Sequence, residues 1–147
     1  MNGAQESFRG RPYQMGDVYL VRFHGVGCEQ SGIRPCVVLQ NDKGNWFSPN
    51  VIMLPLTSAI KKTDQPTHVF VKAADNGLRC DSIVLCENPQ CVSKDRIVGH
   101  RLTTLPRQTM QQIAAAFLVA TGCDQLLGLR ETAKAFSSPL DDGGLNV

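Results

Sequence analysis

The sequence predicts a mainly β fold with a C-terminal helix. Short strand-like runs separated by turn-forming residues fill the first two-thirds of the chain, and the last third switches to helical spacing. With 147 residues, 42% hydrophobic and 19% charged, the chain is typical of a globular protein and fits one compact domain. Short strands at near-regular spacing indicate a small barrel or sandwich.

Five runs have the β-branched, aromatic or apolar composition that is typical of strands. They are predicted at 17–24, 35–40, 51–56, 67–71 and 82–86. Residues 41–50 contain Asn-Asp, Gly-Asn and Ser-Pro and predict a turn, and so does the Asp-Asn-Gly at 75–77.

A helix is predicted in the C-terminal third. Thr104 is a plausible N-cap, Pro106 suits the first helical turn and Gly122 a stop. The apolar residues that recur on one predicted face are Met110, Ile113, Ala114, Phe117 and Leu118. A weaker helix is predicted at 124–135. We therefore expect a flexible lead-in (1–15), a folded domain (16–122) and a C-terminal extension (123–147) that ends in a frayed tail.

Charge and hydropathy exclude several classes of function. The formal net charge of +2 is too small for packaging nucleic acid, so a nucleic-acid partner must be held by a few placed side chains in one groove. The polar N-terminus does not resemble a signal peptide, and the apolar runs are too short to span a bilayer. We expect a soluble, cytoplasmic protein without membrane contact.

The six cysteines are predicted to be reduced structural thiols, because none form a C-x-x-C pair and the chain is long enough to build a core without disulfides. A zinc site made of Cys80, Cys86, Cys91 and His100 has no familiar ligand spacing. We predict no metal and no cofactor.

Two loops carry candidate chemistry. Arg34 ends a glycine-bearing loop, and its planar fork suits a phosphate. Thr57 and Ser58 follow a buried strand and offer two hydroxyls. Taken alone, each is more simply explained as a structural loop residue. The three histidines have no local partner and are predicted to be ordinary strand or surface residues. Lys61 lies in a polar loop, where it would be solvated or would steer RNA.

Several motifs in order resemble the MazF/PemK toxins of bacterial type II toxin–antitoxin systems, over roughly residues 16–122. The matching segments are Gly16-Asp-Val18, Glu29-Gln-Ser-Gly-Ile-Arg-Pro35, Val37-Val-Leu-Gln-Asn-Asp42, Ser48-Pro-Asn-Val-Ile-Met-Leu-Pro-Leu-Thr-Ser58, Pro66-Thr-His-Val69 and Asp81-Ser-Ile-Val-Leu-Cys-Glu87. Each motif is weak alone, but the ordered set is specific.

The resemblance implies a small SH3-like β-barrel of the MazF/PemK/CcdB type with a C-terminal helix. It also implies a sequence-selective endoribonuclease that cuts single-stranded RNA without a metal. In this family the ribose 2′-hydroxyl attacks the neighbouring phosphate and leaves a 2′,3′-cyclic phosphate and a 5′-hydroxyl. A homodimer and neutralisation by a cognate antitoxin are implied as well.

Carried over by motif, Arg34 and Thr57 match the catalytic arginine and threonine. Glu29 and Gln30 would lie beside the RNA, and Ser58 next to Thr57. The proton acceptor stays open: the family assigns proton transfer to the arginine, which its very high pKa makes awkward. Glu87 is the alternative, as a base or as a residue that contacts an RNA base.

Two departures from the family affect substrate preference more than reaction class. Gln90 stands where many members have an arginine, which removes one phosphate contact. Cys28 stands where one PemK-like branch has a histidine. Both are expected to line the RNA groove.

Two other readings remain open. One is a non-catalytic toxin of the same barrel that poisons DNA gyrase, and the other is an inactive interaction domain. The pairing of Arg34 with Thr57 argues against both, because neither needs phosphate chemistry.

Overall fold

The computed structural model describes residues 12–24, 32–60 and 64–129. Its strands are β1 (Asp17–Phe23), β2 (Gly32–Val38), β3 (Asn50–Thr57), β4 (His68–Val71), β5 (Ser82–Leu85), β6 (Gln90–Ser93) and β7 (Ile97–Thr104). Its helices are α1 (Asp42–Phe47), α2 (Ala73–Asn76), a 3₁₀ helix (Lys94–Arg96), α3 (Arg107–Thr121) and α4 (Cys123–Leu127). The expected lead-in up to residue 11 and the tail from residue 130 lie outside the described residues.

The predicted mainly β fold with a C-terminal helix is confirmed. The strands form one antiparallel sheet in the order β4-β5-β3-β2-β1-β7, with β6 also paired to β3. The expectation of a closed barrel needs correction. Among the described residues β4 bonds only to β5 and β7 only to β1, so the sheet stays open.

The two sides of the sheet bury different clusters. The helix side, defined here as the side that packs on α3, buries Val18, Val37, Leu54, Leu56, Val69, Val71, Val84, Cys86, Leu105, Ile113 and Ala116. The opposite side buries Tyr13, Tyr19, Val21, Phe23, Cys36, Val38, Val51, Met53, Val92 and Ile97. Because side chains alternate along a strand, the three central strands β1, β2 and β3 contribute to both clusters.

Pro55 explains why one edge of β3 has two partners instead of one. Leu39 donates its backbone N–H to the carbonyl of Ile52, so Ile52 bonds towards β2 and, by alternation, Pro55 faces the other edge. Proline has no N–H to give there. On that edge β6 pairs with the first half of β3 and β5 with its end. The chain between β5 and β6 forms a turn at residues 86–87.

Three local predictions were wrong. Residues 41–50 contain the short helix α1, because the Asn41 side chain accepts a hydrogen bond from the Gly44 N–H at 2.8 Å and caps it. Thr104 ends β7 and is not the N-cap; its hydroxyl donates to Asp17 at 2.8 Å, and Pro106 precedes the helix. Ala114 is exposed.

The predicted stop of the main helix is confirmed, since Gly122 has a left-handed φ of 74° directly after α3. Of the weaker helix predicted at 124–135, the described part contains α4, which ends at Leu127. No helix in the described ranges combines the length and apolar character needed to cross a membrane.

Candidate active site

Arg34 lies near the start of β2, opposite Val21 of β1. It alternates with Cys36 and Val38, both buried on the opposite side of the sheet, so its side chain emerges on that side. The residue is half-buried, and its Nε atom is buried without a hydrogen-bond partner in the described part of the chain. The Arg34 Nε–H group therefore has no acceptor among the described residues.

Thr57 ends β3, on the same side of the sheet as Arg34. The β2–β3 ladder ends where Cys36 pairs with Pro55. Arg34 and Thr57 each lie two positions beyond that pair, on the same side of two neighbouring strands. The Thr57 oxygen accepts the backbone N–H of Ala59 at 3.2 Å. Its own hydroxyl proton is then free to donate. Two groups that can donate hydrogen bonds to a phosphate thus lie near the ends of two neighbouring strands, on one side of the sheet.

A carboxylate–imidazole pair stands on the next strands. Glu87 Oε1 lies 2.8 Å from His68 Nε2. His68 faces Leu85 across β4 and β5, and Thr57 faces Ile83 across β3 and β5. Since Val84 between them points to the helix side, the pair lies on the same side of the sheet as Thr57.

His68 is a strand residue, as predicted, but it has a partner that the sequence analysis did not identify. Its Nε2 is held by Glu87, and its Nδ1 is buried without a partner among the described residues. The two residues are 19 positions apart in sequence, so no local pattern indicated the contact. Only the register of β4 on β5 brings them together.

The remaining predicted site residues divide into three groups. Gln90 faces Met53 across β6 and β3, and so lies on the same side as Arg34 and Thr57. Ser58 follows Thr57 and is exposed. The others, which are Cys28, Glu29, Gln30 and Lys61, lie outside the described residues.

The buried thiols near the site are poor nucleophiles. Burial raises the pKa of Cys36 to about 12, although the charge of Arg34 opposes the shift. Burial likewise raises the pKa of Cys86 to about 12, and Glu87 adds to the effect. Since the thiolate is the reactive form, neither thiol takes part in covalent chemistry near neutral pH. Residues Cys80, Cys86, Cys91 and His100 form no metal-binding group in the described ranges.

The geometry brings one cation, one hydroxyl donor and one oriented imidazole to one end of the opposite side. A guanidinium and a hydroxyl can hold a phosphate and neutralise charge that develops on it. An imidazole fixed through one nitrogen can accept or donate a proton at the other. A cation, a hydrogen-bond donor and a proton carrier are groups that can support phosphodiester cleavage.

Known proteins are similar to this chain in sequence and in fold. An endoribonuclease MazF of Staphylococcus saprophyticus is 40% identical over 108 residues, which cover 73% of this chain and 89% of the relative. The crystal structure of MazF from Deinococcus radiodurans superposes with a TM-score of 0.64 at 19% identity, over 76% of this chain and 98% of that one. An endoribonuclease in complex with its cognate antitoxin, from a mycobacterial species, gives 0.60 at 25% identity, over 74% and 94%.

The family model that describes the PemK-like, MazF-like toxins of type II toxin–antitoxin systems matches residues 14–120. This range contains every described strand of the sheet, Arg34, Thr57 and the His68–Glu87 pair. The chain belongs to the PemK-like, MazF-like toxin family.

Proposed function

We propose that the protein is a sequence-selective, metal-independent endoribonuclease toxin that cuts single-stranded RNA. The observation that carries the proposal is the buried Arg34 Nε without a partner in the described residues, on the side of the sheet that also carries the Thr57 hydroxyl. A buried donor left unpaired costs about 1–3 kcal/mol. A phosphate oxygen bound there removes that cost and contributes a charge-assisted hydrogen bond.

The proposed reaction needs no external nucleophile. The ribose 2′-oxygen attacks the adjacent phosphorus while its proton leaves to a base, and the bond from phosphorus to the 5′-oxygen breaks. The 5′-oxygen takes up a proton, and the products are a 2′,3′-cyclic phosphate and a 5′-hydroxyl. Arg34 and Thr57 stabilise the negative charge that builds on the phosphorane oxygens. Because the substrate supplies the nucleophile and Arg34 the positive charge, the scheme assigns no step to a metal.

For the proton acceptor we favour His68 over Glu87 and Arg34. The contact with Glu87 at 2.8 Å fixes the ring orientation. The unpaired Nδ1 is buried in the free protein and would take the proton of the 2′-hydroxyl once RNA binding exposes it. A histidine is the usual proton carrier near neutral pH, whereas an arginine stays protonated. Glu87 then acts by orienting the imidazole and stabilising its positive charge.

The proposed partners follow from the chemistry and from the relatives. The substrate is single-stranded RNA in the cytoplasm, contacted by Ser58 and Gln90 and, as the family resemblance implies, by Cys28, Glu29, Gln30 and Lys61. A cognate antitoxin would compete for this groove, as the mycobacterial relative in complex with its antitoxin suggests. We expect a homodimer.

The test is incubation of the purified protein with a long single-stranded RNA in excess EDTA, followed by mapping of the fragment ends. We expect discrete cuts that carry cyclic phosphate on one fragment and a 5′-hydroxyl on the other. Loss of cleavage in EDTA that returns with Mg²⁺ would contradict metal independence. Intact RNA under both conditions would contradict the endoribonuclease.

The choice of base has its own test, because the two candidates predict opposite orders of activity. If His68 accepts the proton, His68→Gln is the slower variant, and Glu87→Gln retains part of the rate because its amide oxygen still accepts from the imidazole N–H. If Glu87 is the base, Glu87→Gln is inactive and His68→Gln is the milder change. Single-turnover cleavage rates of the two isosteric variants decide between them.

A further inference from the structure

Asn88 and Gln90 form a second polar pair, at the turn that Pro55 imposes between β5 and β6. Gln90 Nε2 donates to Asn88 Oδ1 at 2.6 Å and approaches the Asn88 backbone carbonyl at 3.5 Å. Both residues are half-buried. Gln90 faces Met53 on β3, so the pair stands on the side of the sheet that carries Arg34 and Thr57.

These contacts fix which way each amide points. A backbone carbonyl only accepts hydrogen bonds, so the Gln90 atom that faces it is the nitrogen. The Asn88 atom that meets this nitrogen must then be the oxygen. The pair is left with one acceptor, Gln90 Oε1, and one donor, Asn88 Nδ2, neither of which has a partner in the described parts of the chain.

The free groups suit a base better than a phosphate. The pair carries no charge, and its exposed Gln90 oxygen would repel a phosphate oxygen. A base edge offers both donors and acceptors, and amide side chains are regular readers of such edges. Met53, opposite Gln90, lies four residues before Thr57, which is about 13 Å along an extended strand. The pair therefore stands beside the reacting phosphate and not on it.

We propose that Asn88 and Gln90 act together as a specificity element that reads one base flanking the cut site by hydrogen bonds. This inference rests on the proposed endoribonuclease function for its biological meaning, but it concerns binding and is tested without cleavage. In this proposal Gln90 contacts a base, whereas the arginine that many family members have at this position would contact a phosphate.

The experiment uses a random pool of 2′-O-methyl RNA, whose blocked 2′-oxygen prevents cleavage. The pool is captured by the wild type, Asn88→Asp and Gln90→Glu, and the bound sequences are read. Asn88→Asp removes the free donor, and Gln90→Glu removes the N–H that holds Asn88. We expect both variants to lose or change preference at the same single position, where a good base contact discriminates by about 5- to 150-fold.

Two controls separate reading from general effects. Gln111→Glu makes the same chemical change on the exposed face of α3 and is expected to leave every preference intact. Gln90→Arg is expected to strengthen binding to all sequences and to steepen the salt dependence by adding a phosphate contact. Thermal unfolding of each variant verifies that it is folded.

A uniform loss of affinity with all positional preferences unchanged would overturn the inference, because added negative charge alone has that effect. So would a wild type that enriches no sequence. Failure of the proposed function gives a different result. The wild type would enrich a sequence and Asn88→Asp would lose the preference at one position of it, but the wild type would leave ordinary RNA uncut. That result would refute the ribonuclease and support base reading.

Discussion

The two sides of the sheet differ in what their side chains contact, although the same strands form both. On the helix side, α3 covers the sheet with apolar contacts, and Ile113, Leu54 and Val84 are fully or almost fully buried. On the opposite side the apolar cluster gives way at one end to Arg34, Thr57 and His68. There Arg34 Nε and His68 Nδ1 are buried without partners in the described residues.

The apolar residues on the helix side stabilise the fold, whereas the unpaired polar atoms on the opposite side do not. Buried polar atoms are nearly always paired, and an unpaired one lowers stability by about 1–3 kcal/mol. Three buried side-chain atoms lack a partner in the described residues, and two of them, Arg34 Nε and His68 Nδ1, lie at one end of this side, while the third is Asn45 Oδ1. Arg34 can bind an anion and His68 can move a proton, which supports the proposed site at this end. Proteins break local rules of this kind chiefly at functional sites.

The largest expected effect is that of Arg34→Ala. Loss of the charge and its donors is expected to slow cleavage by about 10³-fold, with little change in thermal unfolding because the side chain is only half-buried. Arg22→Ala is the matched control: Arg22 is exposed on the neighbouring strand and alternates onto the helix side. If both variants lose activity equally, the effect is general electrostatics and the two sides are not functionally distinct.

Ile113→Ala tests the helix side. Removing a fully buried isoleucine leaves a cavity under the sheet and is expected to lower the free energy of unfolding by about 2–5 kcal/mol. The single-turnover cleavage rate of the folded protein should stay within about twofold, since the sheet separates Ile113 from the proposed site. Urea unfolding and cleavage at low temperature give both numbers. A normal unfolding curve with a lost rate would reverse the assignment of the two sides.

Thr57→Val removes one hydroxyl and keeps the shape of the side chain. The expected loss is about 10²-fold in cleavage rate, the lower end of the range for a single stabilising donor. Thr57→Ser retains the hydroxyl and should recover most of the rate. Equal rates for Val and Ser would show that the donor is not used.

The smallest effect concerns the buried thiols and alkaline pH. Cys36 and Cys86 have a pKa of about 12 in the folded chain against an ordinary 9.0. The unfolded chain then loses these protons first, so stability is complete below pH 9 and falls as pH rises towards 12. We expect the urea midpoint to drop between pH 8 and pH 10.5, and to drop less in Cys86→Ala. An unchanged pH slope in that variant would contradict the burial argument.

The sequence predicted the strongly apolar strands because their side chains are buried on both sides of the sheet, which leaves nearly continuous apolar runs. The runs that became β1, β3 and β5 are rich in valine, isoleucine and leucine. It did not predict β6 or β7. Strand β7 is mostly exposed along Gly99–Leu102, and its pairing with β1 shifts register, so neither alternation nor apolar content marks it.

Arg34 and Thr57 were predicted because each belongs to a recognisable ordered motif. The alternation of side chains on β2 and β3 then places them on the same side of the sheet, which spacing alone does not determine. The His68–Glu87 contact and the Asn88–Gln90 pair depend on how β5 and β6 share one edge of β3. That arrangement follows from Pro55 in its three-dimensional context, where tertiary pairing and not local propensity decides.

The most direct test of the central claim is to locate bound RNA on the folded protein. Backbone amide chemical shifts are recorded by NMR while a 2′-O-methyl RNA containing the preferred cut site is added. We expect the largest changes at Arg34, Thr57, His68 and Gln90, with Arg22 and Ile113 nearly unaffected. Changes concentrated around α3 on the helix side, or none at saturating RNA, would contradict the account.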